Sequence, residues 1–191
     1  MQISDIHKLT DMRHLNLFSV YYQDKTGKDK IWTYASRSRL DNPRDKTDRL
    51  PDAVVVVPFH TAEKKLVIIK EFKVVLGGYQ YGFPAGLLDP GEDAQQAGKR
   101  ELFEETGLDL IRVVDQSPAV YSSPGMTDES VSMLYAQCEG SPTSAHTGDS
   151  EDIQVKMLSR NQAGALLAEP DALFDVKTWI VLNTFASHGV F

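Results

Sequence analysis

Two short apolar runs, residues 53–59 (AVVVVPF) and 66–72 (LVIIKEF), constrain this chain more than any other feature. Both have the length of strands rather than helices, and the polar turn at 60–65 lets them lie side by side. Neither alternates apolar with polar, so each is expected at the centre of a sheet with both faces covered. Covering two faces takes helices, and helical segments are expected at 92–106, 161–168 and 175–188. With further strands expected at 113–121, 130–138 and 153–158, the fold class is α/β with a mixed sheet.

Ahead of this core, residues 16–23 and 30–37 are rich in aromatic and β-branched side chains. They flank Asp24-Lys25-Thr26-Gly27-Lys28, which supplies the turn chemistry of a hairpin. The polar stretch 38–49, with Asn42-Pro43-Arg44-Asp45, has no periodicity and is expected to be a linker or exposed loop. The expected organisation is therefore an N-terminal β-hairpin region, 1–48, before a main domain, 49–191. The acidic, Gly/Ser/Thr-rich stretch 139–151 is expected to be a surface loop.

The expected helix 92–106 opens with Pro90-Gly91-Glu92-Asp93, carries acids in its first turn and stops at Gly107. Gly98 inside it costs about 1 kcal/mol relative to alanine, so something outside the helix must hold it. Glu101, Glu104 and Glu105 stand at i, i+3 and i+4 and project from one face. Like charges at that spacing repel by roughly a few tenths of a kcal/mol per pair, and the macrodipole disfavours anions near a helix C-terminus. A bound cation reverses both penalties. Hard oxygen donors suit Mg²⁺ or Mn²⁺, and Mg²⁺ commonly keeps water and takes substrate phosphate oxygens, which makes a diphosphate the natural third party. Arg100 is spaced to pair with Glu92 and pin the preceding loop against the helix. A bare run of this kind also fits a solvated acidic helix face.

The run is embedded in a longer pattern. Gly86, Glu92, Arg100, Glu101, Leu102, Glu104, Glu105, Gly107 and Leu108 match every fixed position of G-x5-E-x7-R-E-U-x-E-E-x-G-U, with U apolar. Residues 86–108 thus resemble a complete Nudix box, a far more specific signal than a short motif. The resemblance implies an α/β/α sandwich and metal-dependent hydrolysis of a nucleoside diphosphate linked to another group. It implies that Glu101 and Glu105 ligate Mg²⁺, with Glu104 as ligand or close support and the backbone carbonyl of Ala85 alongside.

Flanking segments narrow the resemblance to ADP-ribose and nucleoside-diphosphate-sugar pyrophosphatases. Gly77-Gly78-Tyr79-Gln80-Tyr81-Gly82-Phe83-Pro84-Ala85-Gly86 is similar to their run into the box. Ser123-Pro124-Gly125-Met126-Thr127-Asp128-Glu129 is similar to the proline-containing loop about sixteen residues after it, which implies substrate contact by Gly125 and Met126. Glu151 in Gly148-Asp149-Ser150-Glu151-Asp152 matches a glutamate that positions or deprotonates water. The hairpin resembles one that exchanges across a homodimer, so Trp32 corresponds to an aromatic stacked on the base and Arg37 to a basic residue near the ligand. As a residue by itself, Trp32 also fits packing against the core. The chain departs from many relatives at Glu71-Phe72-Lys73, where Lys73 replaces a bidentate arginine with a point charge, and at Gly82, where a carboxylate is common. His14 falls where a second stacking aromatic can occur.

Twenty basic against twenty-seven acidic residues leave a net charge of −7, which argues against nucleic acid or an anionic membrane as partner. Cys138, without a second cysteine, excludes an internal disulfide and is expected to be a small buried apolar group, while His60 is expected at the surface end of a strand. No apolar run approaches a membrane span and the first residues lack a signal-peptide pattern, so a cytoplasmic protein is expected. The resulting expectation is a homodimeric ADP-ribose or nucleoside-diphosphate-sugar pyrophosphatase with catalytic Arg100, Glu104, Glu105 and Glu151, and with Trp32, Arg37, Lys73, Gly125 and Met126 binding substrate. A Nudix hydrolase of another nucleotide and a non-catalytic nucleotide-sugar sensor are the alternatives.

Overall fold

A computed structural model describes residues 1–43 and 50–189. These residues fall into two compact units, Met1–Asp52 with Pro118–Val131, and Ala53–Ser117 with Ser132–Phe191. The end of the expected linker and the 48/49 boundary lie outside the described residues.

In the first unit, strands β1 (Gln2–Lys8), β2 (Asn16–Gln23) and β3 (Asp29–Ser36) form an antiparallel sheet in that order. The β2–β3 turn closes because Asp24 Oδ1 accepts from Thr26 N and Lys28 N at 2.8 and 3.1 Å while Gly27 takes φ 80°. Strand β1 was not expected from sequence. It is a mostly exposed edge strand, so it lacks the one-sided alternation by which a half-buried strand is recognised. Asn16 is buried and uses its amide to hold Met12, accepting from the Met12 N–H at 2.7 Å and donating to the Met12 carbonyl at 2.9 Å.

The second unit is built on β4 (Ala53–His60) and β5 (Lys65–Lys73), with sheet order β11 (Ile153–Leu158), β5, β4, β10 (Ser130–Glu139), β8 (Asp109–Gln116). Val54 to Val57 and Leu66 to Ile69 are all at most 4 % exposed, as central strands require. Two further strands, β6 (Gly78–Gly82) and β7 (Ala85–Leu87), pair with β5 and β4. Glycine and proline in the run 77–86 hid them from a periodicity reading. The strand expected at 113–121 instead spans Asp109–Gln116, followed by the two-residue β9 (Val120–Tyr121). Pro118, which has no N–H for a ladder, falls between them.

Helix α1 (Ala94–Thr106) meets Val54 and Val56 of β4, whereas α3 (Val176–His188) meets Phe59 through Phe185 at 6.3 Å between rings. Alternating side chains of a strand point to opposite faces, so the two helices cover opposite sides of the sheet, the expected α/β/α arrangement. α2 (Arg160–Leu167) packs against α3 and β11. His60 corrects the surface expectation: it is 4 % exposed, with Nε2 3.0 Å from the Gly140 carbonyl and Nδ1 3.2 Å from the Glu63 N–H. Two backbone partners at a strand end let an imidazole be buried without loss. Cys138 is fully buried, and burial pushes its thiol up to about 12.

Candidate active site

The site in the second unit rests on how α1 starts. The helix begins two residues later than expected, because Asp93 caps it. Asp93 Oδ1 accepts from the N–H groups of Gln95 and Gln96, both at 2.9 Å, and Gln96 Oε1 accepts from Asp93 N at 2.9 Å. Such a capping box draws the acids out of the first turn and leaves Glu92 in the preceding loop. The helix ends at Gly107 in the left-handed region (φ 68°), whose N–H returns to the Phe103 carbonyl at 2.7 Å.

Arg100 binds that loop to the helix. Its Nε and Nη2 donate to the two carboxylate oxygens of Glu92 at 3.0 and 2.8 Å, and Nη2 also donates to the Leu87 carbonyl at 3.0 Å. The bidentate guanidinium holds the Glu92 carboxyl down at about 2, and Glu92 in turn raises Arg100 further above its already high range. Arg100 Nη1 reaches Glu101 Oε1 at 2.6 Å and Glu104 Oε2 at 3.3 Å. Four features of the motif therefore converge on one guanidinium.

The three helical glutamates have different surroundings. Glu105 is 5 % exposed and accepts from the Ala85 N–H at 3.1 Å. Burial pushes its carboxyl up to about 9; the charge of Glu101 adds to this, the Ala85 hydrogen bond opposes it, and Glu71 and Glu151 add smaller repulsions. Glu101 is also raised, mainly by burial, with Arg100 opposing. Glu104 is exposed. Gly86 explains where the Glu101 carboxylate fits: a Cβ there would lie 1.8 Å from Glu101 Oε1. The glycine of β7 and the helical glutamate share one space.

Among the described residues no three His, Cys, Asp or Glu side chains are gathered closely enough to hold an ion as they stand. The donor set nevertheless fits a small hard cation. Glu105 is a buried carboxyl pushed up by burial and then by the charge of Glu101, both of which a cation would offset, Glu101 sits beside it in a pocket cleared by glycine, and all donors are oxygens.

Two carboxylates outside the helix belong to the same electrostatic neighbourhood. Glu151 Oε2 accepts from Gly148 N at 2.9 Å, and its charge acts on both Glu101 and Glu105. Glu71 stands out in the sequence only as a departure from relatives. It acts on Glu105, and Lys73, two residues along β5 and so on the same face, meets it at 2.5 Å. The signal that could have found it is that same two-residue spacing.

The remaining expected residues come together in the first unit. Trp32 on β3 is 50 % exposed rather than packed into the core. Arg37 Nε is fastened to Glu129 Oε1 at 2.8 Å, and Ser36 Oγ to Asp128 Oδ2 at 2.9 Å. The loop 123–129 thereby lies along the end of β3, with the Met126 carbonyl accepting from Ala35 N at 2.8 Å. A groove of about 1010 Å³ within this unit is lined by Trp32, Tyr34, Arg37, Tyr121, Pro124 and Thr127, among others. Gly125 and Met126 are exposed beside it. The sequence did not associate residues 118–131 with the hairpin, since nothing in their composition says which strand end they meet.

Residues 49–179 match the NUDIX domain family. The chain is 33 % identical to an ADP-sugar pyrophosphatase of Mus musculus over 160 residues, covering 80 % of this chain and 69 % of that protein. It is 26 % identical to an ADP-ribose pyrophosphatase of Saccharomyces cerevisiae, covering 70 % of this chain but only 57 % of the yeast protein. An ADP compounds hydrolase of Escherichia coli is 30 % identical, covering 68 % of this chain and 72 % of that protein. A crystal structure of an ADP compounds hydrolase superposes with a TM-score of 0.70 at 20 % identity, covering 98 % of this chain and 95 % of that one, which is a likeness of fold.

Proposed function

The chain belongs to the Nudix family, and from that premise we propose that it hydrolyses the pyrophosphate of ADP-ribose or a related nucleoside diphosphate sugar to a nucleoside monophosphate and a sugar phosphate. The observation that carries the proposal is the buried Glu105 carboxylate, repelled by its neighbours and fixed by the Ala85 N–H inside a complete motif. Similarity to proteins named for ADP-ribose and ADP-sugars supports the substrate class.

In this reading Glu101 and Glu105, with Glu104 and the Ala85 carbonyl, hold Mg²⁺. When bound, the ion neutralises the diphosphate, polarises the bond to the leaving group and lowers the pKa of water. Glu151 orients the attacking water and accepts its proton on a carboxylate oxygen. Arg100 keeps Glu101 and the Leu87–Glu92 loop in register. Lys73 offers a point charge to phosphate, and Trp32 stacks on the base with Arg37, Gly125 and Met126 near it. The same reading makes the protein a cytoplasmic homodimer, which sedimentation and cell fractionation test. A second reading, another ADP-linked nucleotide as substrate, is supported by the likeness to the Escherichia coli ADP compounds hydrolase.

The test incubates the protein with ADP-ribose and Mg²⁺ and follows AMP and ribose 5-phosphate by chromatography, with Glu105→Gln as control. Products from wild type and hardly any from the variant support the proposal. Preference for nucleoside triphosphates would sink the substrate assignment, and binding of ADP-ribose without turnover in saturating Mg²⁺ would make the protein a sensor.

A further inference from the structure

The loop after β10 carries Glu151, yet most of its residues from 140 to 152 are exposed. A residue that orients water has to be held, so the question is what holds this one. At its far end, Asp152 is fixed: its carbonyl accepts from Phe72 N at 3.0 Å and its carboxylate from the Tyr79 hydroxyl. At its near end the loop is tied to the helix of the motif. Thr143 N donates to the Thr106 carbonyl at 2.8 Å, and the imidazole of His146 stacks on the Phe103 ring with centroids 4.8 Å apart and planes 20° from parallel.

Phe103 is the variable position between Leu102 and Glu104, and it is 42 % exposed. Nothing in the motif calls for an aromatic there. Between the stack and Glu151 the chain is closed by a run of local hydrogen bonds. The Ala145 N–H reaches Thr143 Oγ1 at 3.1 Å, Thr147 Oγ1 reaches the Ser144 carbonyl at 2.9 Å, and Gly148 and Glu151 exchange two bonds of 2.9 Å. These bonds join the turn that carries His146 directly to the turn that carries Glu151.

We propose that the Phe103–His146 stack is a latch that sets Glu151 over the carboxylates of the catalytic helix, making His146 and Phe103 positioning residues for hydrolysis. The inference rests on Glu151 being the water-orienting group. The ring, not the titration of the imidazole, is what matters, so a different flat aromatic serves equally well.

The experiment compares His146→Ala, His146→Phe, Glu151→Gln and His146→Ala/Glu151→Gln in ADP-ribose hydrolysis with Mg²⁺, with melting temperatures recorded for each. The latch predicts that His146→Ala lowers kcat by roughly five- to tenfold with KM little changed, the scale an offset aromatic pair can hold in place. His146→Phe restores kcat, and His146→Ala adds nothing further once Glu151 is Gln. Full activity in His146→Ala beside an impaired Glu151→Gln overturns the latch and leaves the role of Glu151 standing. Failure of His146→Phe to rescue also overturns it, because the imidazole would then act chemically. Full activity in Glu151→Gln removes the premise and the latch together.

Discussion

Replacing Gly86 with alanine isolates the space this β7 glycine shares with helix α1. The new Cβ would lie 1.8 Å from Glu101 Oε1, 2.1 Å from Cδ and 2.5 Å from Oε2, so it meets the whole carboxylate rather than one atom. To regain ordinary contact the carboxylate must retreat by roughly 1.5 Å, because attraction between nonbonded atoms gives way to steep repulsion inside about 3.5 Å. Displacement of about 1 Å in a positioned catalytic group costs on the order of a hundredfold in rate, or about 2.7 kcal/mol of transition-state stabilisation. The expected result is a loss of about that size in kcat/KM for ADP-ribose hydrolysis with a fold that remains intact, since the clash is with a side-chain end. A double-mutant cycle with Glu101→Ala gives the mechanism: once the carboxylate is gone, alanine at 86 has nothing to displace and costs little more. Wild-type activity in Gly86→Ala, or losses that simply add in the double variant, would refute the shared-space argument.

Gly98→Ala is expected to destabilise the fold although it improves helix propensity. Its Cβ would come within 2.6 Å of Leu134 Cδ2 and 3.3 Å of Val56 Cγ2, and overpacking a filled core costs about 1–3 kcal/mol against the roughly 1 kcal/mol gained. A higher urea midpoint than wild type would contradict this. Glu105→Gln is expected to be more stable than wild type in chelator at neutral pH, because a carboxyl held up at about 9 opposes folding there, and Mg²⁺ should raise the melting temperature of wild type but not of the variant. Equal response of both proteins to Mg²⁺ would remove Glu105 from the metal site. Glu92 has its folded pKa depressed to about 2, so the stability it contributes is present above its ordinary value of 4.5 and is lost as pH falls from there toward 2. Acid titration of wild type against Glu92→Gln should show the two converging across that window, and parallel curves would mean that the Arg100 pair stabilises nothing.

The central strands, the helix with its terminal glycine and the nine fixed positions of the motif are legible in the residues alone, whereas the Asp93 cap and the later start of the helix are not. Each of the legible features is written in neighbouring residues, as an unbroken apolar run, a 3.6-residue spacing or a fixed offset. Contacts between distant segments supply what no offset encodes. Gly98 is tolerated because Leu134 and Val56 leave no room for a methyl, and His60 is buried because the carbonyl of Gly140 comes to it from a distant strand end. Glu71 and Glu151 reach the electrostatic neighbourhood of Glu105 from a strand and a loop, and residues 118–131 join the hairpin unit through Ser36 and Arg37. Periodicity reports which face of an element is apolar, while the meeting of two elements depends on how the intervening chain folds back, and a buried carboxylate becomes unusual only when that folding removes its water.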